Sequence, residues 1–283
     1  MDDFCIDKLI KQSLCIKKDL LLLCSKKGIH IGGDLSVCDM MTVLWQYKLR
    51  YDPNNTSSID RDRFILSKGH AAAVMSLNQA YLGCFSKEEF FNEYATNEGR
   101  FSMHSCKLVN PYVEVSTGSL GHGLSIATGI ATGIRRKNNN TSRVYVVMGD
   151  GELSEGSVWE AAMHAAHYKL GNLIAIVDNN GLGADGSIDE LTGLGNVSNK
   201  FQSFGWNVID INGHQIKEIV GAFDALPSPS SFVPTVVIGK TVKGNGVSFM
   251  RNNVNWHAGK ITESQYIQAL KEVEEQMVID NEL

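Results

Sequence analysis

The chain has 283 residues, 43% of them hydrophobic, with a formal net charge of -5 and a pI near 5.9. That length buries one large core, or at most two modest ones, and the lack of a basic excess excludes a partner gripped by its phosphate backbone, such as a nucleic acid. The longest apolar runs, Leu20 to Leu23 and Val144 to Met148, are far too short to span a bilayer.

The chain opens Met-Asp-Asp-Phe-Cys-Ile-Asp-Lys, without the positive-then-apolar order of a secretory signal. Its six cysteines form no C-x-x-C pair and read as reduced, mostly buried thiols of a cytoplasmic protein. The sequons at Asn139, Asn140 and Asn196 then carry no glycan.

Apolar residues at helical spacing predict a helix from about Ile6 to Lys27, stopped by Gly28. Ser36 to Arg50 is a second helix candidate, ended by Asp52-Pro53-Asn54-Asn55. Phe64-Ile65-Leu66 is a short strand candidate, running into Ser67-Lys68-Gly69-His70 and an Ala-rich helix to about Leu82. Leu120 to Arg136 is a helix rich in small residues. Arg143 to Met148 reads as a buried strand, broken by Gly149-Asp150-Gly151. Ser154 to Leu170 reads as a helix capped by Ser154. Leu173 to Val177 is a second buried strand, ending at Asp178-Asn179-Asn180. A helical turn at Phe201 to Phe204, strands at Trp206 to Ile211 and Thr235 to Gly239, and helices at Ile216 to Leu226 and about Thr262 to Met277 complete the order. Strands alternating with helices predict an α/β fold, a mostly parallel central sheet with helices on both faces. No repeat or linker divides residues 1–283, so a single domain is expected.

Ligands of such sheets bind beyond the carboxyl ends of the strands. Two successive strands end here in cation-capable groups: Asp150 between two glycines, and Asn180 thirty positions later. One carboxylate plus neutral oxygens suits Mg²⁺, or Ca²⁺ in its place, rather than zinc. Gly149 and Gly151 admit an anion close to the backbone, and a following helix start favours it. The unit reads as a magnesium-diphosphate site, although either turn alone is ordinary loop punctuation. Gly181-Leu182-Gly183-Ala184-Asp185-Gly186 matches G-x-G-x-x-G literally, but no apolar helix opens inside it, so a dinucleotide site is set aside.

The stretch from Gly149-Asp150-Gly151 to Asn179-Asn180 resembles the thiamine diphosphate motif. Gly149-Asp-Gly-Glu-Leu-Ser-Glu-Gly-Ser-Val-Trp-Glu-Ala-Ala resembles transketolases in particular. So do Ser67-Lys68-Gly69-His70-Ala71, Ser116-Thr117-Gly118-Ser119-Leu120-Gly121 and Thr241-Val242-Lys243-Gly244. The likeness runs from about residue 10 to residue 260, and is strongest to the split form, in which the N-terminal half is a separate subunit.

The resemblance implies thiamine diphosphate and Mg²⁺ as cofactors, with Asp150, Asn180 and the carbonyl of Leu182 as metal ligands. It places Gly151 and His70 at the diphosphate, Gly118 and Leu120 beside the aminopyrimidine, and Gly149, Asn180 and Lys243 among the cofactor contacts. His30, His70, His104 and His257 would be the catalytic imidazoles, with His30, His104 and His257 lining the donor channel and titrating near neutrality. Glu155 resembles an acid linking two cofactor sites across a dimer. His164, His167 and His214 read as packing, surface or helix-start residues. Three positions depart from the family pattern: Ile31 stands for proline, Met103-His104-Ser105 for Gly-His-Pro, and His122 for glutamine.

The activity implied is transfer of a two-carbon ketol unit from a ketose phosphate to an aldose. The pyrimidine domain, with its catalytic glutamate, is expected on a partner subunit in an α2β2 assembly. The rival readings are the α subunit of a 2-oxo acid dehydrogenase E1 and a non-catalytic module that keeps the fold.

Overall fold

The computed structural model describes residues 3–280. Five strands, β1 (Arg63–Leu66), β2 (Val144–Gly149), β3 (Leu173–Asn179), β4 (Asn207–Asn212) and β5 (Thr235–Lys240), form one sheet in the order β1-β2-β3-β5-β4. Every pairing is parallel, as crossover helices require.

Strand alternation assigns the helices to faces. Leu66, Tyr145, Val147, Ile174, Ile176 and Val237 point into one core. That core is closed by α1 (Asp3–Lys26), α2 (Ile31–Val43), α3 (Ala72–Leu82), the short α4 (Lys87–Glu93), α9 (Ile216–Asp224) and α10 (Glu263–Asp280). The intervening residues Ile65, Val146, Met148, Ala175 and Val177 point to the other side. There they pack on α5 (Gly123–Arg136), α6 (Gly156–His167), α7 (Ile188–Leu191) and α8 (Val197–Ser203). The central strands β2 and β3 are therefore buried on both faces, which is why they read as unbroken apolar runs. No helix among the described residues is long and apolar enough to cross a membrane.

Four expectations change. α2 starts at Ile31 rather than Ser36, because Gly32 and Gly33 lie inside the helix instead of ending a loop. A Cβ on Gly33 would come within 3.1 Å of the His70 ring, so the glycine permits a close approach, not a turn. The same helix ends in a π-helical turn, Leu44–Lys48. The helix after Asp150 is not capped by Ser154. Residues Gly151–Ser154 form a 3₁₀ turn, and α6 begins at Gly156 with Glu155 at its N-cap and no side-chain cap bond. Within that turn the Glu152 carboxylate points inward, where it accepts from Ser67 Oγ and the Gly121 N–H. Finally, Cys24, Cys38 and Cys84 are buried as expected, whereas Cys15 is exposed.

Candidate functional site

The carboxyl ends of β1, β2, β3 and β5 surround a cavity of about 280 Å³. Lys68 enters it from the end of β1, Asp150 and Glu152 from β2, Asn180 from β3 and Lys243 from β5, with His70 and His257 on its wall.

The loop after β3 is shaped by two side chains. Asp150 Oδ2 accepts the Gly181 N–H at 2.5 Å while its Oδ1 accepts the Gly151 N–H at 2.8 Å. Asn180 Oδ1 accepts the Leu182 N–H at 3.0 Å. Gly181 sits at φ +76, a conformation costly for other residues, and lets the chain reverse here. The G-x-G-x-x-G stretch then closes as a hairpin, through the Leu182–Ser187 bridge and the 2.9 Å bond from Gly183 N–H to the Gly186 carbonyl. The four-residue α7 that follows opens at Ile188, outside the motif, so the dinucleotide reading fails on geometry.

Behind this loop lies a buried hub that the sequence motifs did not assign. The wholly buried Asp178 carboxylate accepts from Ser36 Oγ at 2.5 Å, from Thr241 Oγ1, and from Lys68 Nζ at 2.5 Å. Asn180 Nδ2 also donates to it, at 3.3 Å, which aims the amide oxygen away from the hub. Burial alone pushes the Asp178 carboxyl up, but the Lys68 charge and these hydrogen bonds outweigh it and hold it below the usual range. Glu152 forms a second hub: Ser67 Oγ, Gly121 N–H at 2.9 Å and Gly149 N–H at 3.3 Å all donate to it. Asp178 lies at the end of the apolar run of β3 and Glu152 three residues beyond β2, and a charged residue at the end of a buried strand was the available signal.

The electrostatics of the cavity follow from burial. Desolvation, then the neighbouring Asp178 charge, raises the Asp150 carboxyl to about 6, despite the two backbone N–H groups it accepts. Lys243 is pushed down to about 8 by burial and by Lys68. Its Nζ donates to the Gly183 carbonyl at 2.5 Å and lies 3.4 Å from the Leu182 carbonyl and 3.0 Å from His257 Nδ1.

Four imidazoles cluster at the mouth. His30 lies 5.6 Å from His70, 5.4 Å from His104 and 5.4 Å from His257, centroid to centroid, and His70 lies 5.4 Å from His257. The structure thus brings together all four candidate catalytic histidines, from four separate segments. For His30, His70 and His257 it corrects the expected titration near neutrality. Burial, then His104 and the Lys243 and Lys68 charges, pushes His30 down to about 4. His257 is pushed to about 4 by burial and Lys243, and His70 well below its usual value by burial and Lys68. Burial thus favours the neutral form of His30, His70 and His257.

Gly118, at φ +152, lies against His104, and Leu120 lines the cavity. Glu155 does not line it: the side chain is exposed on the rim, with its Cβ side packed on Gly121. His122 is exposed at the N-cap of α5, its Nδ1 3.2 Å from the Leu120 carbonyl. His164 and His167 are exposed on α6, as read from the sequence, and both rings pack on Tyr168.

Fold and site together define a parallel α/β domain whose cavity offers one carboxylate, one amide oxygen and backbone carbonyls to a hard cation and its anion. The protein-family model described as "Transketolase, thiamine diphosphate binding domain" matches residues 20–276. One of the subunits of the apulose-4-phosphate transketolase of Phocaeicola vulgatus is 37% identical over 253 residues, covering 89% of this chain and 88% of that one. The 6-deoxy-6-sulfo-D-fructose transketolase subunit of a Clostridium species is 33% identical, covering 94% and 96%. The transketolase of Homo sapiens is 34% identical over 88% of this chain, but only 39% of its own length is matched. Among solved structures, a Pichia stipitis transketolase in complex with sedoheptulose 7-phosphate superposes with TM-score 0.80 at 25% identity, covering 98% of this chain and 45% of that one. The chain belongs to the transketolase family, as its N-terminal, thiamine diphosphate-binding section. Its cofactor is thiamine diphosphate with a divalent metal ion.

The residues present fit that group. Asp150 and Asn180 keep lone pairs beyond those used by the backbone. A Cβ on Gly151 would meet Ile188 at 3.3 Å, so the glycine leaves room on that wall of the cavity. The buried Nδ1 of His30 has no partner.

Proposed function

We propose that this chain is the diphosphate- and Mg²⁺-binding subunit of a split transketolase, moving a two-carbon ketol unit from a ketose phosphate donor to an aldose acceptor. The observation that carries the reading is the meeting of Asp150, Asn180 and Leu182 on one wall of a cavity whose mouth is ringed by His30, His70, His104 and His257. The subunit would work with a second chain bearing the pyrimidine domain and its catalytic glutamate, in an α2β2 assembly. In support, the chain matches separate transketolase subunits over nearly their whole length, and full-length transketolases over about two fifths of theirs.

In this reading Asp150, Asn180 and the Leu182 carbonyl hold the metal. His70, Gly149, Gly151 and Lys243 hold the diphosphate, and Gly118 and Leu120 bound the aminopyrimidine. The cofactor, when bound, supplies a carbon nucleophile and an electron sink. The imidazoles supply hydrogen bonding and proton transfer. Lys243 donates to His257 Nδ1, so the His257 proton sits on Nε2, free to stabilise a developing oxyanion. His30 and His104 can accept the proton that leaves a sugar hydroxyl as the carbon-carbon bond breaks. Exposed Glu155, together with Leu108 and Leu191 (92% and 50% exposed), would meet the partner.

The test is cofactor binding by the complex, measured calorimetrically with Mg²⁺. Asp150→Ala is expected to abolish Mg²⁺-dependent binding of thiamine diphosphate; unchanged binding would refute the metal assignment. Comparing ketose phosphate and 2-oxo acid donors on the same complex separates ketol transfer from the oxo acid dehydrogenase chemistry.

A further inference from the structure

We propose that His214 is a positioning residue for the cofactor site: its ring fixes the backbone that carries Lys243, and so sets the affinity for thiamine diphosphate. The inference rests on the reading of the cavity given above. His214 lies in the turn between β4 and α9 and does not line the cofactor cavity.

The Val242 N–H lies 2.8 Å from His214 Nε2. A backbone N–H can only donate, so Nε2 accepts and the ring proton is on Nδ1. Nδ1 faces Asp39 Oδ2 at 2.9 Å, and the Asn245 side-chain amide lies 3.0 Å from the same nitrogen. Asp39 is buried on α2, where Lys17 of α1 lies 2.8 Å from its Oδ1 and Ser13 Oγ donates at 2.5 Å. Burial pushes the Asp39 carboxyl up, but Lys17 and the His214 bond outweigh that and keep it ionised. The ring is therefore oriented by a charged, anchored acceptor, in the way a carboxylate partner orients a metal-bound or catalytic histidine.

The strut ends one residue from Lys243. On either side the same segment is held by Thr241 N–H on the Asn179 carbonyl, 3.1 Å, and Gly244 N–H on the Gly32 carbonyl, 3.0 Å. Without His214 the Val242 N–H loses its acceptor; the Val242 and Lys243 carbonyls still accept the Asn245 and Asn252 N–H groups, at 3.1 and 2.9 Å, so the peptide is loosened on its N–H side only. The Lys243 ammonium, now aimed at Gly183 and His257, would lose its fixed direction. A buried anion site depends on such preorganised donors.

The experiment titrates thiamine diphosphate into the reconstituted complex at fixed Mg²⁺. His214→Ala is expected to raise the dissociation constant about tenfold, the loss of one well-placed hydrogen bond. His214→Gln, whose amide oxygen can reach the Nε2 position, is expected to stay within about threefold of wild type. In a Lys243→Ala background His214→Ala should add nothing. Hydrogen exchange on the chain alone should show Val242 exposed in the Ala variant and protected in the Gln variant. Wild-type affinity in His214→Ala overturns the proposal. So does a full further loss in the Lys243→Ala background. So does a folded Gln variant that binds as weakly as Lys243→Ala. A wild-type complex that binds no thiamine diphosphate overturns the cavity reading itself, and this one with it.

Discussion

Lys68 Nζ lies 2.5 Å from Asp178 Oδ2, and both side chains are almost wholly withdrawn from water, 2% and 0% exposed. The pair joins the end of β1 to the end of β3 directly behind the cofactor cavity. Removing one partner from such a pair leaves an uncompensated buried charge, at a cost of about 3–5 kcal/mol. Asp178→Asn is expected to lower stability by about that much in chemical denaturation, and Lys68→Met/Asp178→Asn to recover most of it. Losses that merely add would show that the pair is not a coupled unit.

Asp34 gives a pH prediction of opposite sign to most carboxylates. It is fully buried, its Oδ1 accepts the Val74 N–H at 3.0 Å, and its Oδ2 has no partner. Burial raises its carboxyl to about 7, above the unfolded value of 3.8. Between those values the folded state holds a proton that the unfolded state has lost, so stability falls as pH rises through this window. Asp34→Asn, neutral and of equal size, removes that dependence. Its melting temperature should exceed that of wild type, with the gap widening from pH 5 to pH 7. An unchanging gap would contradict a neutral Asp34.

His30 works the other way. Its folded value of about 4 lies below the ordinary 6.5, so the unfolded state binds the extra proton between those values. Its contribution to stability is present above 6.5 and is lost as the pH falls toward 4. Subtracting the melting curve of His30→Gln from that of wild type should isolate this one-proton slope. A difference flat from pH 4 to 7 would mean that the ring is not buried as a neutral group.

Two glycines of one helix should respond in opposite directions. A Cβ on Gly123 would fall 2.2 Å from Ser67 Oγ, the hydroxyl that bonds Glu152, whereas a Cβ on Gly129 meets nothing within 4 Å. Gly123→Ala is expected to destabilise by about 1–3 kcal/mol. Gly129→Ala, at an exposed helix interior, should stabilise the isolated chain by about 0.5–1 kcal/mol. Thermal unfolding of both variants reads the sign directly.

The fold was largely legible because β2 and β3 are continuous apolar runs, and because Gly28 sits just past the end of α1. The candidate site was legible where chemistry needs a particular residue type at a turn, as with Asp150 and Asn180. What escaped is long-range. Asp178 and Lys68 meet across 110 positions of sequence, and His214 meets Asp39 across 175. A histidine after Asn-Gly therefore looks like helix punctuation until the folded neighbours are present. Short-range signals were also missed. Ser86 and Glu89 form a full capping box for α4, a pattern visible in Ser-Lys-Glu-Glu. The lowered titration of His30, His70 and His257 could not be read from residue types, because it is set by burial beside Lys68 and Lys243.

The central claim is that this chain carries the metal and diphosphate half of a ketol-transfer site, the other half coming from a partner subunit. The direct measurement is ketol transfer from a ketose phosphate, with thiamine diphosphate and Mg²⁺, by the purified chain alone and then with a partner bearing a pyrimidine domain. The account predicts no turnover by the chain alone and turnover on reconstitution. Substantial turnover by the chain alone would contradict it.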